Sequence, residues 1–240
     1  RQVNIVGNES YREQDIRENF TLDTVNWLSW IRQDDRYAKE SLSGDLETLR
    51  SFYMDRGHAD FRIESTQVAI SPDKQDIYVT INIHEGEQYK ISEIKMVGKM
   101  VVPEQQLRAM VLTRPGDTFN LRLLTQSSEL RSFRLGEEGY ANAEIEPVPE
   151  LDYEAKTAAV SFFVDAKSRV YVRRINFTGV DQVDDAVLRR ELRQSEGAYL
   201  SNRLVDRSKI LLQRLPFVEK VEVENVPVAG TPDMVDVTFA

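Results

Sequence analysis

The sequence predicts an α+β fold made of three tandem domains, each with the element order β-α-α-β-β. Three observations predict it. A short alternating strand closed by glycine occurs three times, each copy is followed by a short and a long helical segment, and each unit ends in two strand patterns joined by a turn. Such a unit forms a three-stranded mixed sheet packed against two helices.

The strand that opens each unit is the clearest repeat. It reads VNIVG from Val3, IKMVG from Ile94 and INFTG from Ile175. Apolar and polar residues alternate, as in a half-buried strand. A chain that leaves a sheet often needs a positive φ, which glycine adopts without steric cost. We therefore expect positive φ at the three closing glycines, Gly7, Gly98 and Gly179.

Two helical segments follow each opening strand. The short ones are predicted at residues 13–20, 103–112 and 184–194, and the long ones at 39–56, 121–138 and 202–215. The first long segment has apolar side chains at helical spacing, which predicts one buried face. These residues are Leu42, Leu46, Leu49 and Tyr53, and the third segment repeats the stripe with Leu204, Leu211 and Leu215.

The ends of the long helices carry recognisable signals. Asn120 and Ser201 precede the second and third long helices as candidate N-caps. Gly57 and Gly139 follow the first and second as left-handed C-caps. Pro216 stops the third helix, because proline restricts the residue before it and lacks an N–H donor.

Paired strands close each unit and define the predicted domains. The strand pairs are residues 61–70 with 77–83, 143–149 with 158–164, and 218–226 with 234–239. Short polar segments at 85–88 and 165–169 separate the units. We therefore predict domains at residues 1–86, 87–166 and 167–240.

Composition excludes several classes of function. The 240 residues carry a net charge of −9, which disfavours binding to the phosphate backbone of a nucleic acid. The chain has no cysteine, so no thiolate metal site, thiol nucleophile or disulfide is possible. No stretch approaches the ~20 apolar residues of a membrane-spanning helix. Because the chain begins inside one predicted strand and stops inside another, we expect it to be part of a longer protein.

Several longer motifs resemble one protein family. GDLETLRSFY from Gly44, followed by DRG and SPDK, is similar to the third POTRA domain of the BamA family. AVLRRE from Ala186, followed by EGA and LVD, is similar to the fifth. The resemblance covers essentially the whole chain in the order third, fourth and fifth. The helices of the middle unit match the family less closely, so we assign no family role to its individual residues.

This resemblance implies a function and a location. POTRA domains of this family form a non-catalytic scaffold at the periplasmic face of the Gram-negative outer membrane, within the machinery that assembles β-barrel proteins. They bind accessory lipoproteins of that machinery and guide unfolded outer-membrane precursors by β-augmentation. The family also has two earlier POTRA domains and a C-terminal barrel that anchors the protein in the membrane, and this sequence contains neither.

One strand edge is the candidate for augmentation. The strand at 143–151 contains Pro147 and Pro149, which cannot donate backbone hydrogen bonds, so that edge is blunted. The equivalent strand at 59–70 has no proline and stays competent for strand addition. An ordinary solvated edge is the alternative, and the resemblance favours binding. The predicted augmentation edge comprises Ile63, Ser65, Thr66, Gln67 and Val68.

A charged group in the third unit is the candidate for partner binding. Considered alone, Glu196 is a solvated surface glutamate beside a glycine. The resemblance implies instead that this position contacts the partner lipoprotein BamD. Arg189, Arg190 and Arg193 lie on the preceding helix, where they can pair with Glu196 or with acidic groups on a partner.

An extra segment between the helices of the first unit contains Trp27, Trp30 and Ile31. Tryptophan at such a site can enter a membrane interface or hold a partner. Aromatic residues at helical spacing are more often packed on their own domain. We therefore expect this segment to cover the core of the first unit.

The sequence offers no catalytic motif, so we predict neither an enzyme nor a bound cofactor or metal. His58 and His84 lack further ligands at metal-binding spacing. The carboxylate pairs Asp34–Asp35 and Asp184–Asp185 lie at helix starts, where the helix dipole explains them. Two alternatives remain open: a POTRA arm of a secretion transporter for one substrate, and a hydrolase with an acidic pair of raised pKa in a pocket.

Overall fold

The structure, a computed structural model, describes residues 2–18, 35–71, 77–180 and 183–240. Its elements in chain order are β1 (Gln2–Val6), α1 (Glu13–Arg17), α2 (Asp35–Met54), β2 (Arg62–Ile70), β3 (Ile77–His84), β4 (Lys90–Gly98), α3 (Glu104–Arg108), α4 (Leu121–Glu137), β5 (Glu144–Asp152), β6 (Thr157–Asp165), β7 (Tyr171–Phe177), α5 (Asp185–Glu191), α6 (Asn202–Leu212), β8 (Val223–Val228) and β9 (Thr231–Phe239). The segment with Trp27, Trp30 and Ile31 lies outside the described residues. The predicted β-α-α-β-β order occurs three times.

Each repeat contains one three-stranded sheet, with orders β1-β3-β2, β4-β6-β5 and β7-β9-β8. The last strand of each repeat is central, and the first two are edges. In the first repeat β1 runs parallel to β3 while β2 runs antiparallel to it. The third repeat has the same directions, with β7 parallel and β8 antiparallel to β9. The predicted α+β fold with mixed sheets is confirmed.

By backbone packing, the chain divides into two compact units. The first consists of Arg1–Lys95, Leu112–Thr125 and Pro149–Ser161, and the second of Met96–Val111, Gln126–Val148 and Phe162–Ala240. The division falls inside the second repeat. The residues that join the first repeat to the second belong to the first unit, and those that join the second to the third belong to the second unit.

The glycine that closes the opening strand is required by its surroundings. Gly98 has a φ of +118°, and a Cβ built on it lies 2.3 Å from the carbonyl oxygen of Val164. Gly7 has a φ of +99° and the same 2.3 Å approach to the carbonyl oxygen of Ile83. Gly179 also has a positive φ, as predicted. A side chain at Gly7 or Gly98 would therefore strain the backbone and collide with the central strand.

The helix caps follow the sequence in part. Asn120 caps α4, because its Oδ1 accepts the Leu123 N–H at 2.9 Å. Ser201 was expected to cap α6, but its side chain makes no capping bond. Its backbone N–H instead donates to Gln194 Oε1 at 3.0 Å. The glutamine from the preceding loop thus ties down the start of α6.

The buried face of α6 differs from the predicted leucine stripe. Val205, Ser208 and Leu212 are its buried residues, whereas Leu204 and Leu211 lie one position away and are only partly buried. Ser208 Oγ accepts the N–H groups of Arg193 at 2.8 Å and Gln194 at 3.2 Å. These bonds turn a serine toward the interior, so the helix presents a different face from the one that hydrophobic spacing indicates.

The two junctions between repeats share one hydrogen-bonding scheme. Tyr89 N–H donates to Gly57 O, and Val170 N–H donates to Gly139 O, each at 2.9 Å. Both glycines have positive φ, +106° and +92°. The residue immediately before the first strand of each following repeat therefore bonds to the C-terminal cap of the preceding long helix.

Side chains reinforce both junctions at equivalent positions. Arg122 lies 3.5 Å from Asp55 in the first junction, and Arg203 lies 3.3 Å from Glu137 in the second. In the first junction, Asn120 Nδ2 also donates to Asp55 O at 2.7 Å. Each long helix therefore contributes an acidic residue near its end, and the next repeat supplies the arginine.

The segment predicted as the first polar linker is partly buried. Glu85 is buried, and its Oε2 accepts the Ser10 N–H at 2.9 Å and the Ser10 hydroxyl at 2.7 Å. The pKa of Glu85 is lowered: burial acts to raise it, and the bonds from Ser10 and Glu9 outweigh that effect. Glu85 thus fastens the turn after β1 to the end of β3.

The core of the second repeat contains a buried charge. Arg131 on α4 is 0% exposed, as is Leu49, which stands at the same distance before its helix-ending glycine in the first repeat. Leu212 occupies the equivalent position of α6. Arg131 donates to Ser127 O at 2.7 Å and to the Met96 sulfur at 3.1 Å.

No carboxylate of the described chain pairs with Arg131. Its guanidinium carbon lies 3.6 Å from the centre of the Phe162 ring, and its Nη2 has no hydrogen-bond partner. Burial lowers the pKa of Arg131 to about 10. A charge removed from water is costly unless it is fully paired, so this position destabilises the second repeat.

We expect Arg131→Leu to stabilise the second repeat by roughly 1–4 kcal/mol, because it replaces a poorly paired buried charge by the side chain found at the equivalent positions. Native-state hydrogen exchange of the α4 amides measures the change. Arg134→Leu on the same helix removes the same charge from a partly exposed ion pair, and we expect no stabilisation there. Faster exchange in Arg131→Leu would show that the guanidinium contributes net stability.

Candidate functional site

The strand predicted for augmentation, β2, is an edge of the first sheet. Its pairing with β3 runs from Arg62 opposite His84 to Ile70 opposite Ile77, with a bulge between Ile63 and Ser65. Its other side has no partner strand in that sheet. β2 therefore presents one row of backbone donors and acceptors that no strand of the described residues uses.

The side chains of β2 leave this edge accessible. Ser65 and Gln67 are exposed, and Thr66 and Ile63 are half-buried. Val68 points toward the helix side of the sheet, opposite buried Val79, yet it is 49% exposed. Asn82 Nδ2 donates to Ser65 Oγ at 2.7 Å, which stiffens the pair beside the bulge. The helix-side face is thus incompletely covered at this edge.

The equivalent strands of the other repeats are also edges but carry proline. β5 is an edge of the second sheet and contains Pro147 and Pro149, and β8 is an edge of the third and contains Pro227. Each proline removes one N–H donor from its strand. Of these three strands, β2 keeps the complete set of backbone donors.

Glu196, the predicted partner-binding residue, is fixed by the opening strand of its own repeat. Its Oε1 accepts the Ile175 N–H at 2.7 Å and Arg189 Nη1 at 3.2 Å. The pKa of Glu196 is lowered chiefly by the bond from Ile175, and Arg189 lowers it further. The side chain is still 43% exposed, so a held carboxylate faces solvent.

Arg189 completes this arrangement from α5. Its Nη2 donates to Ile175 O at 2.9 Å, and its Nε bonds to Asp185 one helical turn earlier. Its guanidinium carbon lies 5.7 Å from the Phe177 ring centre. Glu196 and Arg189 therefore hold the N–H and the C=O of the same residue, Ile175.

The other predicted arginines do not join this group. Arg193 Nη1 donates to Leu192 O at 3.0 Å and lies near two further carbonyls at the end of α5. Its positive charge is favourable there because helix C-termini carry partial negative charge. Arg190 is exposed, and within the described chain its guanidinium makes no ion pair. Of the three predicted arginines, Arg189 is therefore the one that bonds to Glu196.

The sequence analysis identified Glu196 and Arg189 but missed two groups that bond to them, the Asp185 carboxylate and the backbone of Ile175. Asp185 could have been found, because it precedes Arg189 by one helical turn, the spacing of a helix ion pair. The backbone of Ile175 could not, because a main-chain donor leaves no trace in side-chain patterns. Beside it, Arg173 pairs with Asp236 across to β9.

Three of the residues considered for catalysis, His58, His84 and Asp184, make contacts within the local fold, and Asp34 lies outside the described residues. His58 is buried against the rings of Tyr11 and Tyr53, and its Nδ1 lies 3.1 Å from Gly86 O. His84 lies 3.6 Å from Asp60. Asp184 caps α5 by accepting the Ala186 N–H at 3.0 Å. Each contact serves the local fold.

The described residues form neither a cluster of metal ligands nor a membrane-spanning helix. Within residues 2–18, 35–71, 77–180 and 183–240, no three histidine, aspartate or glutamate side chains gather in a way that would hold a metal ion. Over the same ranges, no helix has the length and apolar character needed to cross a membrane.

Comparison with known proteins gives one family. The model of the family POTRA, described as surface antigen variable number repeat, matches residues 1–86, 89–167 and 170–240. The outer membrane protein assembly factor BamA of Neisseria meningitidis is 28% identical over 99% of this chain and 30% of its own length. BamA of Buchnera aphidicola is 29% identical over 99% of this chain and 38% of its own length. The chain spans about a third of these relatives.

Solved structures show the same likeness. A crystal structure of Haemophilus influenzae BamA POTRA3-5 is 30% identical, has a TM-score of 0.76, and matches over 99% of this chain and 93% of that one. BamA from Haemophilus ducreyi lacking POTRA domains 1-3 is 36% identical, with a TM-score of 0.56, over 63% of this chain and 29% of that one.

The bond between Glu196 and Ile175 predicts a coupled titration. We expect the Glu196 carboxyl and the Ile175 amide proton to titrate together below the ordinary glutamate pKa of 4.5, followed by NMR. Because the folded pKa is lowered, the stabilisation is present above the unfolded pKa and is lost as pH falls through the folded pKa. In Arg189→Ala the pKa should stay lowered, since its main cause remains. An Ile175 amide that ignores the titration would contradict the bond.

Proposed function

Because the chain belongs to the POTRA family, we propose that its three repeats, at residues 1–86, 87–166 and 167–240, act as a non-catalytic periplasmic scaffold in the assembly of outer-membrane β-barrel proteins. The relatives that match the whole chain are named assembly factors of this kind. The repeats match the third to fifth POTRA domains of BamA in order. The scaffold works at the periplasmic face of the outer membrane, beside the membrane-anchoring barrel that the resemblance implies.

The open edge of β2 carries this proposal. An unfolded outer-membrane precursor consists largely of segments destined to become strands, and each has unpaired N–H and C=O groups along its length. An edge strand without proline satisfies those groups by adding the segment as a further strand. Backbone bonding is independent of side-chain identity, so one edge accepts many precursors.

The side chains beside the β2 edge favour a segment with alternating polarity. An added strand would place every second side chain on the helix side, next to the half-exposed Val68 and Thr66. The remaining side chains would lie on the open face, beside Ser65 and Gln67. Apolar residues on the helix side would cover Val68, and burial of that surface adds to the backbone bonds. Strands of membrane barrels have this alternation.

The third repeat supplies the proposed contact with the lipoprotein BamD. Both bonds to Glu196 use Oε1, and Oε2 receives no bond from the described residues. While Ile175 and Arg189 hold Oε1, the carboxylate therefore offers Oε2 for a first bond to a partner. A charge that is already positioned loses less conformational entropy on binding than a mobile one. Arg190, exposed and unpaired in the described chain, lies on the same helix as Arg189 and offers the partner a positive charge.

Comparison of the second and third repeats supports a binding role for Glu196. Gly116 and Gly197 occupy equivalent places, because their N–H groups donate to Ile91 O and Val172 O, each at 2.7 Å. The residue before Gly116 is Pro115, whereas the residue before Gly197 is Glu196. The loop closes in the same way with either residue, so the fold does not require a carboxylate at this position.

We expect a synthetic peptide from an outer-membrane β-strand to shift the amide signals of residues 62–70 in an NMR titration of this chain, because it pairs with β2. The signals of β5 serve as an internal control, since its prolines blunt that edge. A peptide with proline at alternate positions should cause no shift. The β2 proposal is wrong if β2 stays unchanged, or if β5 responds as strongly.

We expect Glu196→Lys to weaken binding of purified BamD from the same organism by roughly tenfold or more, because it reverses a positioned charge. Glu219→Lys is the matched control: it makes the same change in net charge at another exposed glutamate of the third repeat. Isothermal titration calorimetry at two salt concentrations measures both. Equal weakening in both variants would assign the effect to net charge and contradict a site at Glu196.

A further inference from the structure

We infer that Glu196 and Arg189 form a removable cap on the free edge of β7, and that this edge accepts an extended peptide when a partner guanidinium draws Glu196 away. The inference rests on the proposed function in one respect, since the guanidinium is taken to belong to the bound lipoprotein. The capped edge itself is a property of this chain alone.

The first half of the β7 edge is closed by backbone. β7 is an edge strand of its sheet, in which its neighbour is β9. On its other side, Gly197 N–H donates to Val172 O at 2.7 Å, and Val172 N–H donates to Ala198 O at 2.9 Å. Leu200 N–H donates to Val170 O at 2.8 Å. The loop before α6 therefore runs beside the start of β7 as a short strand would.

The next outward-facing residue is closed by side chains instead. Ile175 N–H donates to Glu196 Oε1 at 2.7 Å, and Ile175 O accepts Arg189 Nη2 at 2.9 Å. One donor and one acceptor thus take the places that the C=O and N–H of a neighbouring strand would occupy. This arrangement protects an edge that would otherwise attract another chain.

A side-chain cap is easier to remove than a backbone one. Glu196 and Arg189 are 43% and 41% exposed, so both side chains can rotate into water without opening the core. The loop backbone is fixed at both ends by the fold. Removal of the cap leaves the groups of Ile175 free and the rest of the edge unchanged.

A guanidinium is the group best suited to remove the cap. It binds a carboxylate most strongly through two parallel bonds, which require both carboxylate oxygens. Glu196 Oε1 already accepts bonds from Ile175 and Arg189, so a partner that binds both carboxylate oxygens starts at Oε2 and competes with these two groups for Oε1. The 3.2 Å bond from Arg189 is the weaker of the two and is displaced first, and movement of the carboxylate toward the partner then releases the Ile175 N–H. The partner guanidinium and the Ile175 N–H therefore compete for the same atom, Glu196 Oε1.

The test uses the whole chain and a synthetic outer-membrane β-strand peptide as probe, read by NMR shifts at residues 174–177. Glu196→Ala/Arg189→Ala lacks the cap, and Glu196→Ala alone is the milder variant if the double variant loses its fold. Glu196→Gln keeps an acceptor oxygen for Ile175 but has no charge for a guanidinium. Purified BamD is added to the wild-type chain and to Glu196→Gln.

We expect the uncapped variant to bind the peptide at β7 roughly tenfold more tightly than the wild-type chain, as two released backbone groups allow. The wild-type chain should gain this binding when BamD is present, and Glu196→Gln should not. No response at β7 in either uncapped variant overturns the inference, whatever BamD does. If the uncapped variants bind the peptide at β7 but the wild-type chain with BamD does not, the inference that BamD opens this edge is wrong.

These outcomes separate the inference from the proposed function. The uncapped arms contain no lipoprotein, so they test the edge even when BamD fails to bind. Failure of BamD to bind the wild-type chain would remove both the proposed contact and the gating. Binding of BamD with a silent β7 edge would leave the proposed contact standing and overturn only the inference.

Discussion

Hydrogen bonding by the main chain at sheet edges is the constraint on which the rest of this structure depends. A three-stranded sheet leaves two of its three strands with one unpaired side, and N–H and C=O groups there need a partner, whether protein or water. This chain meets the requirement in three ways. A loop runs beside β7, the side chains of Glu196 and Arg189 bond to Ile175, and β2 is left open. An edge can bind an added strand only where its backbone groups are open, as in β2, or are covered by side chains that can move, as at Ile175.

The three repeats share a framework and differ at a few positions that matter. Leu49 and Leu212 fill the core where the second repeat has Arg131. Pro115 precedes the loop glycine of the second repeat where the third has Glu196. The shared β-α-α-β-β framework forms in all three repeats although their side chains differ, so these side-chain differences are not needed for the fold. The differences indicate function or strain, since nothing in the shared framework demands them.

Much of the fold could be predicted because it depends on local patterns. Alternation gave the strands, helical spacing gave the helices, and the glycines closing β1 and β4 marked places where a Cβ would collide with the central strand. The leucine stripe of α6 misled, because Ser208 bonds to the loop at Arg193 and turns that serine inward. Hydrophobic spacing cannot register a polar residue that is buried for its hydrogen bond.

The candidate site was predictable only in part for the same reason. The family resemblance pointed to Glu196, and the preceding helix offered Arg189, Arg190 and Arg193 as candidates to pair with it. The group they hold is the main chain of Ile175, which lies 21 residues earlier than Glu196 and is specified by tertiary folding. Burial of Arg131 was equally invisible, since an arginine in a helix ordinarily faces solvent.

The junctions have a consequence for how such a protein can change in evolution. Tyr89 and Val170 must each reach the carbonyl of a helix-ending glycine, Gly57 or Gly139, while their own carbonyls accept Phe119 and Leu200. One residue added before Tyr89 would reverse the alternation of the strand that follows and break both bonds. Spacer length is therefore as constrained as core composition. A recombinant array that exchanges such modules would have to cut within the long helix or the hairpin, leaving each glycine joined to its successor.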